Sequence, residues 1–153
     1  GTIPIPVFIM ALLSFVIFII TRYTVFGRYI YAVGGNEEAA RLSGIDVAGT
    51  KFWVYVVSGM FSGICGIILA SRLGAGDPKL GLMYELIAIA AVVLGGTSLM
   101  GGKGTVIGTI FGALFIGVLE NGLLLKGVST FYQWVIKGLV ILVAVVIDQL
   151  KKR

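Results

Sequence analysis

The chain of 153 residues has no histidine, one cysteine and only 12% charged residues. Without histidine there can be no Ser-His-Asp triad, no His metal site and no imidazole proton relay. The single thiol, Cys65, sits in an apolar run and can build neither a disulfide framework nor a thiolate metal cluster. Soluble domains carry about 25% charged residues, so this chain lacks the polar coat that a globule in water needs. Its 58% hydrophobic content and mean hydropathy of +1.07 exclude a disordered chain as well. The net charge of +5 would suit nucleic acid. However, seven acids are interspersed among the twelve bases without a long basic run, so no nucleic-acid partner is expected. No metal and no other cofactor is expected either.

What the chain does have is apolar length. A hydrocarbon core of about 30 Å needs roughly 20 apolar residues per helix. Five segments qualify or come close: Ile3–Thr21, Phe52–Ala70, a shorter Tyr84–Leu99, Thr105–Leu125 and Phe131–Ile147. The expected fold is all-α, a polytopic transmembrane helix bundle of about five spans held against membrane lipid. The chain begins without Met and enters a span almost at once, so it reads as a fragment of a longer membrane protein. No charged leader or small-residue cleavage site marks a signal peptide.

Lys and Arg concentrate on cytoplasmic loops. Arg22, Arg28, Arg41, Lys51, Lys103, Lys151, Lys152 and Arg153 fall on one side if five segments cross. Arg72, Lys79 and Lys126 then fall on the other, with Lys137 inside a span. This arrangement puts the N-terminus outside and the C-terminus in the cytoplasm. It fails if Tyr84–Leu99 is re-entrant. Gly59-x-x-x-Gly63 and Gly108-x-x-x-Gly112 are small-residue patterns that let helices approach closely, either within one bundle or at a dimer face.

Residues 22–51 form the long polar connection. Within it Asn36 is a good N-cap, Glu37 and Glu38 load the first turn, and Arg41 loads the last. Gly44 can take the left-handed C-cap position, and Ala39, Ala40 and Leu42 favour helix between them. The pattern predicts a helix over Glu37–Ser43, too short to be stable alone. It lies on the surface of the bundle or docks into a partner's groove.

The run GRYIYAVGGNEEAARLSGID (Gly27–Asp46), with Glu38-Ala39-Ala40-x-x-x-Gly44 inside it, resembles the coupling-helix loop of ABC importer permeases. YELIAIAAVVLGGTSLMGGKGT (Tyr84–Thr105) and GVSTFYQWVIKGLVILVAVVIDQLKKR (Gly127–Arg153) are similar to the closing part of the ribose/xylose/galactose-type sugar permeases. The resemblance implies that residues 1–153 are the C-terminal half of a permease domain in the bacterial inner membrane. It implies transport of a monosaccharide driven by ATP that cytoplasmic ABC ATPase subunits hydrolyse. A second permease subunit and an extracytoplasmic sugar-binding protein would complete the system. Residues Asn36, Glu37, Glu38, Ala39, Ala40, Arg41, Leu42, Ser43 and Gly44 would then form the ATPase contact.

Three further features carry polar chemistry. The loop Gly95-Gly96-Thr97-Ser98-Leu99-Met100-Gly101-Gly102-Lys103-Gly104 fails as a Walker A motif, because Thr97 and Gly104 stand where Gly and Ser/Thr are required. Gly95, Gly96, Thr97 and Ser98 can instead break a helix, free backbone groups and line a pathway, or simply make a turn. Glu120 and Lys137 lie at similar depth in neighbouring spans and make a candidate ion pair, with Asn121 beside them. Glu85 opens the third segment, as a first-turn acid or a contact at the outer mouth. Trp53, Tyr55, Tyr84, Tyr132 and Trp134 read as interfacial aromatics or as sugar-stacking platforms. A permease for branched-chain amino acids or another solute is the alternative within transport, and a non-transport membrane scaffold lies outside it. An intramembrane enzyme lacks its catalytic groups.

Overall fold

A computed structural model describes residues 4–76 and 81–150, with the side chains at positions 130 and 147–150 left out of that description. The expected placements of Ile3, Lys79, Lys151, Lys152 and Arg153 fall outside the described residues. The described residues form seven helices and no strand. They divide into two units, Gly1–Leu82 and Met83–Arg153.

The first unit holds α1 (Ile5–Tyr23), α2 (Val25–Gly35), α3 (Glu37–Leu42) and α4 (Val47–Leu73). Proline costs least at the start of a helix, and α1 opens with Pro4 at its N-cap and Pro6 in its first turn. Thr24 then takes an extended backbone and serves two helices at once. Its hydroxyl donates to the Ile20 carbonyl at 2.6 Å, ending α1, and accepts from the Gly27 N–H at 3.2 Å, starting α2. Gly27 must be glycine here, since a Cβ would stand 2.3 Å from the Thr21 carbonyl oxygen. Asn36 repeats the device between α2 and α3. Its N–H reaches Ala32 O at 3.1 Å and its Oδ1 accepts from Ala39 N at 3.0 Å. Asp46 Oδ1 caps α4 through Gly49 N at 3.0 Å.

The second unit holds α5 (Tyr84–Leu94), α6 (Val106–Leu125) and α7 (Thr130–Leu150). Its core is Ala90, Ala91 and Ile116, with Ile87, Leu94 and Ile141 against them. Here the small-residue pattern has a partner. A Cβ on Gly112 would meet the Ala91 carbonyl oxygen at 2.0 Å, and one on Gly108 would meet that of Gly95 at 2.1 Å. Ala91-x-x-x-Gly95 and Gly108-x-x-x-Gly112 therefore mate backbone to backbone.

α1, α4 and α6 are long and apolar enough to cross a membrane. α7 carries a further apolar stretch over Phe131–Val146. The third expected span is cut short. α5 has 11 residues and ends at Leu94, not Leu99. At 1.5 Å per residue that is about 16 Å, half a hydrocarbon core. The cause is Gly96, left-handed at φ +83°, in a Schellman closure where Gly96 N bonds Val93 O at 2.9 Å and Thr97 N bonds Val92 O at 3.1 Å. α2 was not anticipated from the sequence. Its glycines at 27, 34 and 35 and lack of acids hide an 11-residue helix that starts from a good cap.

Candidate functional site

Among the expected site residues, those of the polar connection over 22–51 fall into the most fully bonded arrangement. Glu37 and Glu38 occupy the first turn of α3 and Arg41 its last. The helix ends one residue before the expected Ser43, which is the C-cap, and Ser43 Oγ donates to Ala39 O at 2.8 Å. Gly44 is left-handed at φ +81°, with Gly44 N on Arg41 O at 3.0 Å and Ile45 N on Ala40 O at 3.1 Å. That pair of bonds is a Schellman closure, which only a residue tolerant of positive φ makes without strain.

Two anchors hold α3. Ala40 turns inward and is 4% exposed. Lys51, the fifth residue of α4, donates to Glu37 Oε2 at 2.6 Å, while Arg41 stands 3.8 Å from Glu37 Oε1. The Glu37 carboxyl is thereby held below its ordinary value of 4.5, first by the hydrogen bond from Lys51 and then by the Lys51 charge, with Arg41 adding less. The outward face carries Glu38, Ala39 and Leu42, and Leu42 is 85% exposed. A leucine displayed at that level on a short, fully capped helix is a knob without a hole among the described residues of its unit. Lys51 as a partner of Glu37 was missed by the sequence reading, since fourteen residues separate them.

The glycine loop takes the form of a turn, one of its two readings from the sequence. Its backbone groups are not left free. Beyond the Schellman bonds, Ser98 N reaches Lys103 O at 2.9 Å and Gly101 N reaches Ser98 O at 3.1 Å. Gly101 and Gly102 are both left-handed, which lets the turn close. Ser98 is buried and its Oγ accepts from Met100 N at 3.3 Å. Thr97 lies over Gly104, where a Cβ would meet Thr97 Cγ2 at 2.7 Å. Both hydroxyl residues are thus built into the loop that reverses α5 into α6. Glu85 is exposed in the first turn of α5, while Gly95–Ser98 lie at its other end. The structure does not bring these two candidates together.

Glu120 and Lys137 meet as an ion pair between α6 and α7. The Lys137 side chain is 18% exposed and that of Glu120 38%, so the pair is half-sunk. Asn121 is exposed beside it. Gln133 Nε2 donates to Val128 O at 2.8 Å, fixing the turn that carries α7 back. Among the described residues no group of three or more Cys, Asp or Glu could hold a metal.

The family described as "Branched-chain amino acid transport system / permease component" matches residues 2–145. The chain is 52% identical over 149 residues to the ribose import permease protein RbsC of Bacillus subtilis, covering 97% of this chain and 46% of that one. It is 51% identical over 150 residues to the ribose import permease protein RbsC of Escherichia coli K12, covering 98% and 47%. It is 48% identical over 151 residues to the xylose transport system permease protein XylH of Haemophilus influenzae, covering 99% and 40%. The chain spans less than half the length of these curated relatives. No solved structure matches it.

Proposed function

The chain belongs to the branched-chain amino acid transport system permease family, a membrane transport family, and from that premise we propose that it is the C-terminal half of the translocation subunit of an ATP-driven sugar importer. Within the family, likeness to permeases named for ribose and xylose favours a monosaccharide over an amino acid as the solute. The partners are cytoplasmic ATPase subunits, a second permease subunit and a sugar-binding protein outside. The loop bearing α3 faces the cytoplasm, as the bases around it at Arg22, Arg28, Arg41 and Lys51 favour. ATP is hydrolysed by the partner, so this chain supplies shape and movement and no chemistry.

The observation that carries the coupling role is Leu42, 85% exposed on a helix whose every terminus is tied down. The leucine enters a groove of the ATPase, and the charges of Glu38 and Arg41 select the partner. When the ATPase dimer closes, α3 is displaced and carries α1 and α4 with it as rigid bodies. In the half-sunk pair, Glu120 and Lys137 neutralise one another and hold α6 to α7 rather than move protons.

Leu42→Asp in the complete transporter tests this. The change is on an exposed side chain, so the permease folds. Losing one well-seated apolar anchor weakens ATPase capture by about tenfold or more. Substrate-stimulated ATP hydrolysis and sugar uptake fall together. Unchanged uptake at equal expression refutes the coupling role.

A further inference from the structure

α3 is six residues long, about 9 Å, and is held at both ends and in the middle. Its C-terminal end is joined to α4 through the Schellman closure at Gly44 and through Asp46, whose Oδ1 caps α4. Its middle rests on the methyl group of Ala40. Its N-terminal end is joined to α2 by Asn36 and to α4 by Lys51, which donates to Glu37 Oε2 at 2.6 Å. Glu37 and Ala40 stand three residues apart and share one helix face, while Glu38 and Leu42, four apart, share another. The bond from Lys51 thus lies on the anchored face, clear of the exposed Leu42.

These attachments decide what a push at Leu42 moves. A rod joined to its neighbour at one end swings about that joint. A rod joined at both ends carries the neighbour with it. A swing of about 20° about the Gly44 joint would shift the far end of α3 by about 3 Å, more than the Lys51–Glu37 bond tolerates. While that bond holds, α2, α3 and α4 form a closed frame. Once it is lost, Arg41, 3.8 Å from Glu37 Oε1, remains as a partner within α3 itself, and α3 can turn without α4. The same carboxylate therefore has two discrete arrangements, one strapped to α4 and one paired within its own helix.

We propose that Lys51 is a positioning residue for transport: held on Glu37, it makes α4 follow α3 in step with α1, so that one displacement moves both membrane-length helices. This rests on the coupling role of α3 and names the residue that shares the stroke between the two spans. α1 receives its part through Asn36, α2 and Thr24. The side chains of the pair are exposed, 48% at Lys51 and 46% at Glu37, and such pairs contribute little to stability. Its loss therefore leaves the fold and the docking face intact and shows in coupling. The effect is graded, since a bond of this kind shifts the balance between two arrangements by a fewfold and not by orders of magnitude.

The test uses the complete transporter in liposomes, with ribose and xylose offered separately. Sugar taken up per ATP hydrolysed is measured beside capture of the ATPase by the permease. Lys51→Met should lower sugar per ATP about threefold with capture unchanged. Lys51→Arg, which keeps the bond, should keep the native ratio. Lys51→Glu, which repels Glu37, should fall below Lys51→Met. Glu37→Gln combined with Lys51→Met should do no worse than the stronger of the two single changes, because partners in one bond are not additive. Leu42→Asp is run alongside. A native ratio in Lys51→Met beside lost uptake in Leu42→Asp overturns the role of Lys51 and leaves the coupling role standing. Capture weakened as much in Lys51→Met as in Leu42→Asp would make Lys51 a docking contact, and also overturns the proposal. Undiminished uptake in Leu42→Asp refutes the coupling role itself, and the role of Lys51 falls with it.

Discussion

The two units solve the problem of joining helices in opposite ways. In the first, cohesion lies in the connection: Thr24, Asn36 and Asp46 cap successive helices, Lys51 ties α3 to α4, and burial among the described residues is confined to Gly27, Ala40, Val47 and Thr50. Its long helix α1 has no buried residue, and α4 has only Val47 and Thr50, at its start. In the second, cohesion lies between the helices themselves, where glycines let α5 and α6 touch backbone to backbone. The contrast teaches that a small-x-x-x-small pattern is permission for contact and does not itself make one. Gly108 and Gly112 use it, while Gly59 and Gly63 have nothing within 4 Å.

The sharpest way to break this contrast is to put leucine at both kinds of glycine. Gly112→Leu must drive α5 away from α6, and the loss should exceed about 3 kcal/mol, enough to remove folded protein from a detergent preparation. Gly63→Leu should leave the yield of monodisperse chain unchanged. If both variants behave alike, the units are not built differently.

A smaller effect concerns the ion pair of the second unit. Lys137→Met alone should lower thermal stability by about 2 kcal/mol, below the range for fully buried pairs because Glu120 keeps some access to water. Adding Glu120→Gln should recover most of that loss. Thermal unfolding of the single and double variants decides it, and equal losses would mean that the two side chains act independently.

In the first unit the corresponding disturbance is Asn36→Ala. One cap is worth about 1 kcal/mol, and hydrogen exchange should rise in α3 while α5–α7 stay as they were. The smallest effect is set by pH. Glu37 has a lowered folded pKa, so its contribution is fully present above the ordinary value of 4.5 and is lost as pH falls through the lowered value. Exchange of α3 amides should therefore quicken below pH 4.5 in the native chain and show no such step in Glu37→Gln.

How far the sequence foretold this depends on the range of each interaction. α3, with Asn36, Gly44 and its charged turns, was legible because a cap and a C-terminal glycine act within five residues. The apolar runs of α1, α4, α6 and α7 were legible because their length alone is the signal. The end of α5 was legible only in part: Gly95–Ser98 reads as a break or a turn, but periodicity cannot say at which glycine the chain goes left-handed. α2 was missed although Thr24-x-x-Gly27 repeats the cap spacing of Asp46-x-x-Gly49 and Thr105-x-x-Gly108. The mating of Gly112 with Ala91 and the Glu37–Lys51 bond depend on where distant segments come to lie, which no local pattern encodes. Glu120 with Lys137 was the exception, because a short turn between two helices fixes their depth.

The double duty of Thr24 and Asn36 has a mechanical consequence. Each joint between α1, α2 and α3 is a single residue wide, and that residue is hydrogen-bonded to the rods on both sides. Such a linkage has no backlash. A displacement imposed at Leu42 cannot be absorbed by bending of a loose loop and must reappear as a turn of the crank at Asn36 or Thr24. Two glycines spliced in beside either joint would leave every helix intact and yet consume the stroke before it reached α1.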